Sequence, residues 1–425
     1  VTRPEIATAQ LEALRTLLAE LLPGNRFYTA KLTGAGVGFD VASLADFSRR
    51  FPFTTKAELA ADQQAHPPFG TNLTYPLAAY TRCHQTSGTT AGPLRWLDTP
   101  ESWDALLTSW CEVYHAAAVA PADRVFFAFS FGPFLGFWMA FEAAQRIGCL
   151  CLPGGGLSST ARLRAILDNR VTVLCCTPSY AIRLGEIARE EHLDLSHGAV
   201  RWIIVAGEPG GSVPATRTRI EELWPGARVA DHHGMTETGP VTYECPAQPG
   251  VLHVIEGACL AEIVQPGGDQ PVAAGATGEL ILTTLERRAA PVLRYRTGDL
   301  VRRAADGRPC ACGRHELALP GGILGRVDDM VIVRGVNVYP SAVEQVLRGF
   351  SEVAEFQVTV TEQRAMTELR VTVEPVAACA DPRALVSRIE AALELAFALR
   401  IPVTSAPVGA LPRFEMKARR WRRET

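Results

Sequence analysis

A chain of 425 residues is longer than one ordinary hydrophobic core organises, so two domains are expected. Its 42 basic residues nearly balance 45 acidic ones, for a formal charge of −3, which leaves no electrostatic footprint for a nucleic-acid partner or a membrane surface. A content of 47% hydrophobic and 20% charged residues is that of a soluble globular protein, and no run of about 18 apolar residues breaks it.

The first run, VTRPEIATAQLEALRTLLAELLPG, has a helical period with internal charges, so residues 5–22 are predicted as an amphipathic helix ending at Pro23-Gly24 rather than as a signal peptide. Without such a signal, eleven cysteines suit a reducing cytoplasm better than a disulfide framework. Residues 26–80 read as helical pieces broken by proline and glycine, with Thr54 or Thr55 capping a short helix in PFTTKAEL. Apolar strands follow at 124–130, 149–152, 172–176 and 202–206, separated by helical segments such as 135–147 and 158–168. Continuous apolar strands alternating with helices predict a mainly parallel sheet covered on both faces. Cys149, Cys151, Cys175 and Cys176 lie in these strands and are expected as small buried hydrophobes. From about residue 251 the pattern turns β-rich, in LHVIE, CLAEIV and GELILTT. After Asp328 a smaller α+β unit begins, with VIVRG, a helix over 341–350, EFQVTV, ELRVTVE and a helix over 382–397. The expected architecture is therefore α/β: a large N-terminal domain, 1–326, with a parallel sheet and a β-rich subdomain, then a small mobile α+β domain, 327–425.

Five runs carry chemistry. QTSGTTAGP, at 85–93, packs the hydroxyls of Thr86, Ser87, Thr89 and Thr90 around Gly88, a loop able to offer hydroxyl and backbone N–H donors to phosphate oxygens. It lacks the Gly-Lys-Ser/Thr ending of a Walker loop, and the plainer alternative is a polar surface turn. DHHGMTETGP, at 231–240, sets Thr236 and Glu237 beside glycines; a carboxylate there suits Mg²⁺, whereas the plainer alternative is the capped start of a helix. In YRTGDL, at 295–300, Asp299 follows a Thr-Gly turn and offers two acceptors to a ribose diol. GRVDDMVIVRGVNVYPSAVE, at 325–344, reads as a charged joint between domains, and LPRFEMKARR, at 411–420, holds Lys417 in a basic tail that could equally be only a solvated charge run.

Together, and in this order, the runs resemble the adenylate-forming superfamily of acyl- and aryl-CoA synthetases, most of all its phenylacetate-CoA ligase branch. The resemblance extends from NRFYTAKL and FPFTTKAEL to the final lysine motif. It implies that Thr86, Ser87, Gly88, Thr89 and Thr90 form the phosphate loop. Gly207, Glu208 and Pro209 of AGEP, with Asp231 and His232, would flank the adenine. It makes Thr236 and Glu237 the Mg²⁺ and phosphate motif, Asp299 and Arg326 the ribose contacts, Asp328 the hinge and Lys417 the catalytic lysine. One departure stands out: the loop ends Ala91-Gly92-Pro93, where the family usually has Gly-Lys-Pro.

The implied activity uses ATP and Mg²⁺ to activate a small aromatic acid (a benzoate, anthranilate, salicylate or phenylacetate) as its acyl-adenylate, then transfers it to CoA. Transfer to a carrier protein, amine or hydroxyl is the alternative, and a non-catalytic nucleotide-binding homologue is the alternative of another class. A homodimer is left open. The candidate acid pocket is Phe131, Phe134, Trp138, Tyr180, Ala206, Gly207, His232 and Gly234, since aromatic walls with glycine suit a flat ring, although aromatics on a helix are more often core. Finally, Cys245, His253, Cys310 and Cys312 lie in turn-rich context as two pairs about sixty positions apart, and three thiols with one imidazole make a common structural Zn²⁺ set. His315 is the spare ligand, and four unrelated residues are the alternative.

Overall fold

The computed structural model describes residues 1–22, 24–86, 93–305, 309–334, 336–363, 366–414 and 419–424. Its centre is a five-stranded parallel sheet in the order Leu150–Pro153, Arg124–Phe127, Val173–Cys176, Trp202–Val205, Arg228–Asp231. All four residues of Val173–Cys176 are buried, as expected of a central strand with helices on both sides. One face packs against helices Pro100–Ala116 and Leu135–Ile147 through Trp103, Trp110, Tyr114 and Met139. The other is covered by Ser159–Asp168, Pro178–Glu190 and Pro214–Leu223 through Leu163, Tyr180, Leu184 and Ile220.

The predicted strands and helices fall close to these. The run 124–130 leaves the sheet after Phe127, ahead of the turn residues Ser130, Gly132 and Pro133. The first helix starts at Arg3, earlier than predicted, because Thr2 and Glu5 form a capping box. Thr55 rather than Thr54 caps the helix Lys56–Ala65, with Glu58 completing the box. All eleven cysteines are free thiols, with Cys149, Cys175 and Cys176 buried and Cys151 partly so.

The β-rich part holds a four-stranded antiparallel sheet, Cys259–Val264, Thr277–Thr284, Tyr295–Arg302 and Ile323–Arg326, and a three-stranded one, Thr242–Glu244, Val251–Val254 and Ala318–Pro320. The N-terminal helices close over the first through Leu14, Leu18, Tyr28 and Phe47, which pack on Leu260, Leu285 and Leu293. A separate core starts at Val331. It lies between the sheet Val403–Ser405, Met366–Pro375, Val353–Gln363, Trp421–Glu424 and the helices Pro340–Arg348 and Pro382–Phe397. This C-terminal unit touches the parallel-sheet layer where helix Pro340–Arg348 packs on Pro214–Leu223. No helix of the described residues is long and apolar enough to cross a membrane.

Candidate nucleotide and acid site

The carboxyl ends of strands Trp202–Val205 and Arg228–Asp231 open toward the β-rich part, the position at which open α/β sheets bind ligands. Asp299 is paired in register with Arg326 across two adjacent strands. The pairing brings Arg326 Nη1 within 3.0 Å of Asp299 Oδ1 and 3.2 Å of the Thr297 carbonyl, while its Nε donates to Asp328 Oδ1 at 3.0 Å. Glycine is required at the turn: Gly298 has φ +75°, and a Cβ there would stand 2.9 Å from Arg326 Nη2. Asp299 is 3% exposed. Its Oδ2 lies 3.1 Å from His233 Nε2, yet neither atom has a hydrogen-bond partner among the described residues. A buried acceptor left open in this way fits a hydroxyl donor such as a ribose OH.

The Thr236–Glu237 turn closes the hairpin of Gly234–Met235 and Gly239–Pro240. Gly239, at φ +81°, lets this turn press against Leu106, since a Cβ would come 2.2 Å from Leu106 Cδ2. Two supports hold the turn. Arg287 Nη1 donates to the Thr236 carbonyl at 2.5 Å while its Nε and Nη2 fork onto Asp98 at 2.7 and 2.6 Å, in a pair almost wholly buried. Tyr295 Oη donates to Glu237 Oε1 at 3.2 Å, and Lys56 Nζ stands 3.4 Å from the same oxygen. Lys56 is half exposed, so the pair is worth little as a stability term; what it does is set a cation beside the turn. The segment around Thr54 runs beside Tyr295, exchanging backbone bonds with Arg294 and Arg296, and this delivers Lys56 there.

Of the AGEP run, Gly207 adopts φ +93° and Glu208 accepts the Ser179 N–H at 2.9 Å. Asp231 is bound by the Ser212 hydroxyl at 2.6 Å, and burial pushes its carboxyl up to about 6 against the pull of that bond and of Arg217. Burial pushes His232 down to about 3, so the ring is neutral; it meets Trp110 edge-on at 4.5 Å, and its Nδ1 has no partner among the described residues. Phe131 contacts Trp138 at 4.9 Å and Phe129 at 5.7 Å, and Phe134 meets Phe137 at 5.9 Å, making one aromatic cluster at the start of helix Leu135–Ile147. Ala206 and Gly207 follow the end of strand Trp202–Val205 and Gly234 opens the hairpin. Tyr180 does not join them. It is packed on the opposite face of the sheet, where its hydroxyl accepts from Arg162 at 2.6 Å and lies 2.9 Å from that of Ser159, so its place in the expected acid pocket is withdrawn.

Ser87, Gly88, Thr89, Thr90 and Lys417 lie outside the described residues. Their flanks are described. Strands Arg82–Gln85 and Arg95–Asp98 pair antiparallel on either side of the phosphate-loop run, and Thr86 Oγ1 accepts the Leu94 N–H at 3.0 Å. Before Lys417, Arg413 is clasped by Glu374, which also accepts the N–H groups of Gly409 and Leu411; after it, Arg420 is clasped by Glu355.

A second cluster forms in the β-rich part. The ligand atoms of Cys245, His253, Cys310 and Cys312 all lie within 4.8 Å of one another, with Cys245 and Cys310 sulfurs 3.5 Å apart and Cys312 Sγ 3.5 Å from His253 Nε2. A tetrahedral Zn²⁺ with bonds of about 2.3 Å to sulfur sets ligand–ligand distances near 3.7 Å, so the donor set and spacing fit that ion. Burial pushes the Cys245 thiol up to about 12. Burial also raises Cys310, but backbone N–H groups and the neighbouring thiols outweigh it and leave that thiol below its ordinary value.

The AMP-binding enzyme family matches residues 85–284, and the AMP-binding enzyme C-terminal domain matches 335–422. The chain is 33% identical over 378 residues to the phenylacetate-coenzyme A ligase of Thermus thermophilus, spanning 88% of this chain and 82% of that protein. The chain belongs to the AMP-binding enzyme family. Within it the resemblance to the phenylacetate-CoA ligase branch holds, since the Escherichia coli phenylacetate-coenzyme A ligase is also 32% identical over 375 residues, spanning 87% of this chain and 82% of that protein. A 2-hydroxyisobutyryl-CoA ligase crystallised in its postadenylation state with 2-HIB-AMP matches with a TM-score of 0.94 at 30% identity, over 100% of this chain and 90% of that one. The same ligase with CoA in the thioesterification state matches with a TM-score of only 0.75 over 100% and 91%.

The motifs missed three residues that the structure places at the Thr236–Glu237 turn. Lys56 sits inside the quoted FPFTTKAEL run, where it reads only as a helix start. Asp98 and Arg287 are 189 positions apart and have no local pattern. His233 lies inside the quoted DHHGMTETGP run and reads there as a candidate pocket residue beside His232; only folding brings its ring to Asp299.

Proposed function

We propose that the protein is an AMP-forming ligase that binds ATP between the Asp299–Arg326 pair and the Thr236–Glu237 turn and joins a small carboxylic acid, aromatic by preference, to CoA. The observation that carries this is the buried Asp299 carboxylate with one oxygen engaged by Arg326 and the other left open beside His233. In the first half-reaction a carboxylate oxygen of the acid attacks the α-phosphorus, the bond to the β-phosphate oxygen breaks, and pyrophosphate leaves. In the second the CoA thiol attacks the acyl carbonyl, loses its proton, and AMP leaves. Glu237 with Thr236 would hold Mg²⁺, which when bound supplies positive charge to the phosphate oxygens. Lys56 adds a protein cation at the same turn, in a chain whose phosphate-loop run ends without lysine. The aromatic cluster of Phe131, Phe134 and Trp138, with the neutral His232, supports a ring-bearing acid.

Asp328, bonded to Arg326 between the last strand of the β-rich sheet and the first residue of the C-terminal core, is the proposed hinge, and the domain boundary falls there. Eleven cysteines, none in a disulfide among the described residues, support a cytoplasmic setting.

The test is pyrophosphate release with ATP, Mg²⁺ and a panel of phenylacetate, benzoate, 2-aminobenzoate, salicylate and 2-hydroxyisobutyrate, with and without CoA. Acid-dependent release and a CoA thioester are expected. Silence with every acid sinks the proposal, and a clear preference for 2-hydroxyisobutyrate overturns its aromatic part. Asp299→Ala is expected to raise the KM for ATP by at least about tenfold, since it removes a charged acceptor from the nucleotide. An unchanged KM for ATP would remove Asp299 from the site.

Cys245, His253, Cys310 and Cys312 would hold a closed four-ligand Zn²⁺ that clips two loops and leaves no position for substrate. Protein purified without added metal should carry close to one zinc per chain, and Cys310→Ser should lower both zinc content and melting temperature. Zinc-free protein with freely titratable thiols at 245, 310 and 312 would count against the clip.

A further inference from the structure

Arg420 sits three residues after Lys417 and is more elaborately held than a tail residue needs to be. Its guanidinium forks onto Glu355 at 2.7 and 3.2 Å and reaches Glu344 at 3.4 Å, and it lies against the rings of Phe356 and Phe414 at 5.1 and 5.6 Å. Burial works against its charge, and Glu344, Glu355 and Glu208 more than restore it. All these groups except Glu208 belong to the C-terminal unit. One further bond does not: Nη1 donates to the hydroxyl of Ser179 at 3.2 Å, in the first turn of helix Pro178–Glu190. The Ser179 N–H in turn donates to Glu208 of the AGEP loop. Glu186, on the same helix, feels Arg348 and Arg413 from across the interface, so charge complementarity surrounds the Arg420 contact.

We propose that Arg420 is a positioning residue for the adenylate-forming step: it pins the C-terminal unit, three residues after Lys417 in the sequence, to the Ser179–Glu208 corner of the nucleotide site. The proposal rests on the ligase function above. Three residues of chain span at most about 10 Å, so docking Arg420 sets an upper limit on how far Lys417 can act from it. The arrangement seen here is the one that matches the postadenylation state of the 2-hydroxyisobutyryl-CoA ligase, at a TM-score of 0.94 against 0.75 for the thioesterification state. When the C-terminal unit turns about Asp328, the bonds to Glu355 and Glu344 travel with it and the bond to Ser179 cannot. The contact therefore favours one half-reaction only. Glu355 and Glu344 keep Arg348 as a neighbour, at 3.5 and 3.6 Å, and a methionine at 420 keeps an apolar stem between the two rings, so Arg420→Met leaves the unit packed.

The experiment measures ATP–pyrophosphate exchange, using whichever panel acid the wild type turns over fastest, and separately thioester formation from that acid's purified adenylate with CoA. Arg420→Met is expected to cut exchange by about tenfold or more, while thioester formation stays within about twofold of wild type, since misplacement by an ångström penalises the step that needs the lysine. Arg420→Lys, which keeps the charge without the fork, should recover part of the exchange. Ser179→Ala, made on the other side of the contact, should lower exchange severalfold and add nothing to Arg420→Met. Equal losses in both half-reactions, intact exchange in Arg420→Met, or an additive Ser179→Ala effect would each overturn the proposal. Should Arg420→Met fail to fold, Ser179→Ala decides alone: loss confined to exchange supports the contact, and any other result rejects it. A wild type that exchanges pyrophosphate with no acid condemns the ligase function instead.

Discussion

Lys417→Ala is expected to lower ATP–pyrophosphate exchange by about 10²-fold or more while leaving thioester formation from preformed adenylate nearly intact. The charge that develops as the acid attacks the α-phosphorus lies between two anionic groups, and a lysine ammonium is a compact cation suited to that gap. What the fold contributes is a short tether with two fixed ends. Arg413 is held by Glu374, a carboxylate with no exposed surface that also gathers two backbone N–H groups, and Arg420 is held by Glu355. Six residues separate the two anchors, so the lysine between them has a limited range of positions. In the second half-reaction no phosphate is being transferred and the same cation has nothing to neutralise. Exchange surviving the substitution at close to the wild-type rate would remove Lys417 from the chemistry.

The parts of the molecule that were legible in the sequence are those whose signal is local. The four inner and edge strands were apolar runs between helices, while the fifth, Arg228–Asp231, carries a charge at each end and has no such run to betray it. The Thr-Gly-Asp turn and the Gly-Arg-x-Asp joint read as two motifs; that Asp299 and Arg326 are neighbours is a fact of strand register, which only the assembled sheet supplies. Tyr180 was misassigned because an aromatic one turn into a helix carries no mark of which face of the sheet its helix covers. The Cys/His quartet stood out because its thiols sit among turn residues rather than apolar ones, but its closure to within 4.8 Å depends on strands Val251–Val254 and Ala318–Pro320 lying side by side.

The Asp98–Arg287 pair is where such non-local structure bears most on stability. Arg287→Met is expected to destabilise the protein by about 3–5 kcal/mol, because it leaves the Asp98 carboxylate buried at 0% exposure with its forked partner gone. The same change releases the Thr236 carbonyl, so the Glu237 turn loses one of its two supports and activity should fall at temperatures where the variant is still folded. The two effects can be separated. In Asp98→Leu/Arg287→Met no buried charge is left unpaired, and apolar replacements of buried ion pairs are often neutral or better. That double variant should regain much of the lost melting temperature but not the activity, since the bond to Thr236 stays absent. A single variant that melts like the wild type would show that the pair contributes no net stability. A double variant that recovers activity together with stability would show that Arg287 serves the fold alone and that the Thr236–Glu237 turn holds its geometry through Tyr295 and the Gly234–Pro240 hairpin.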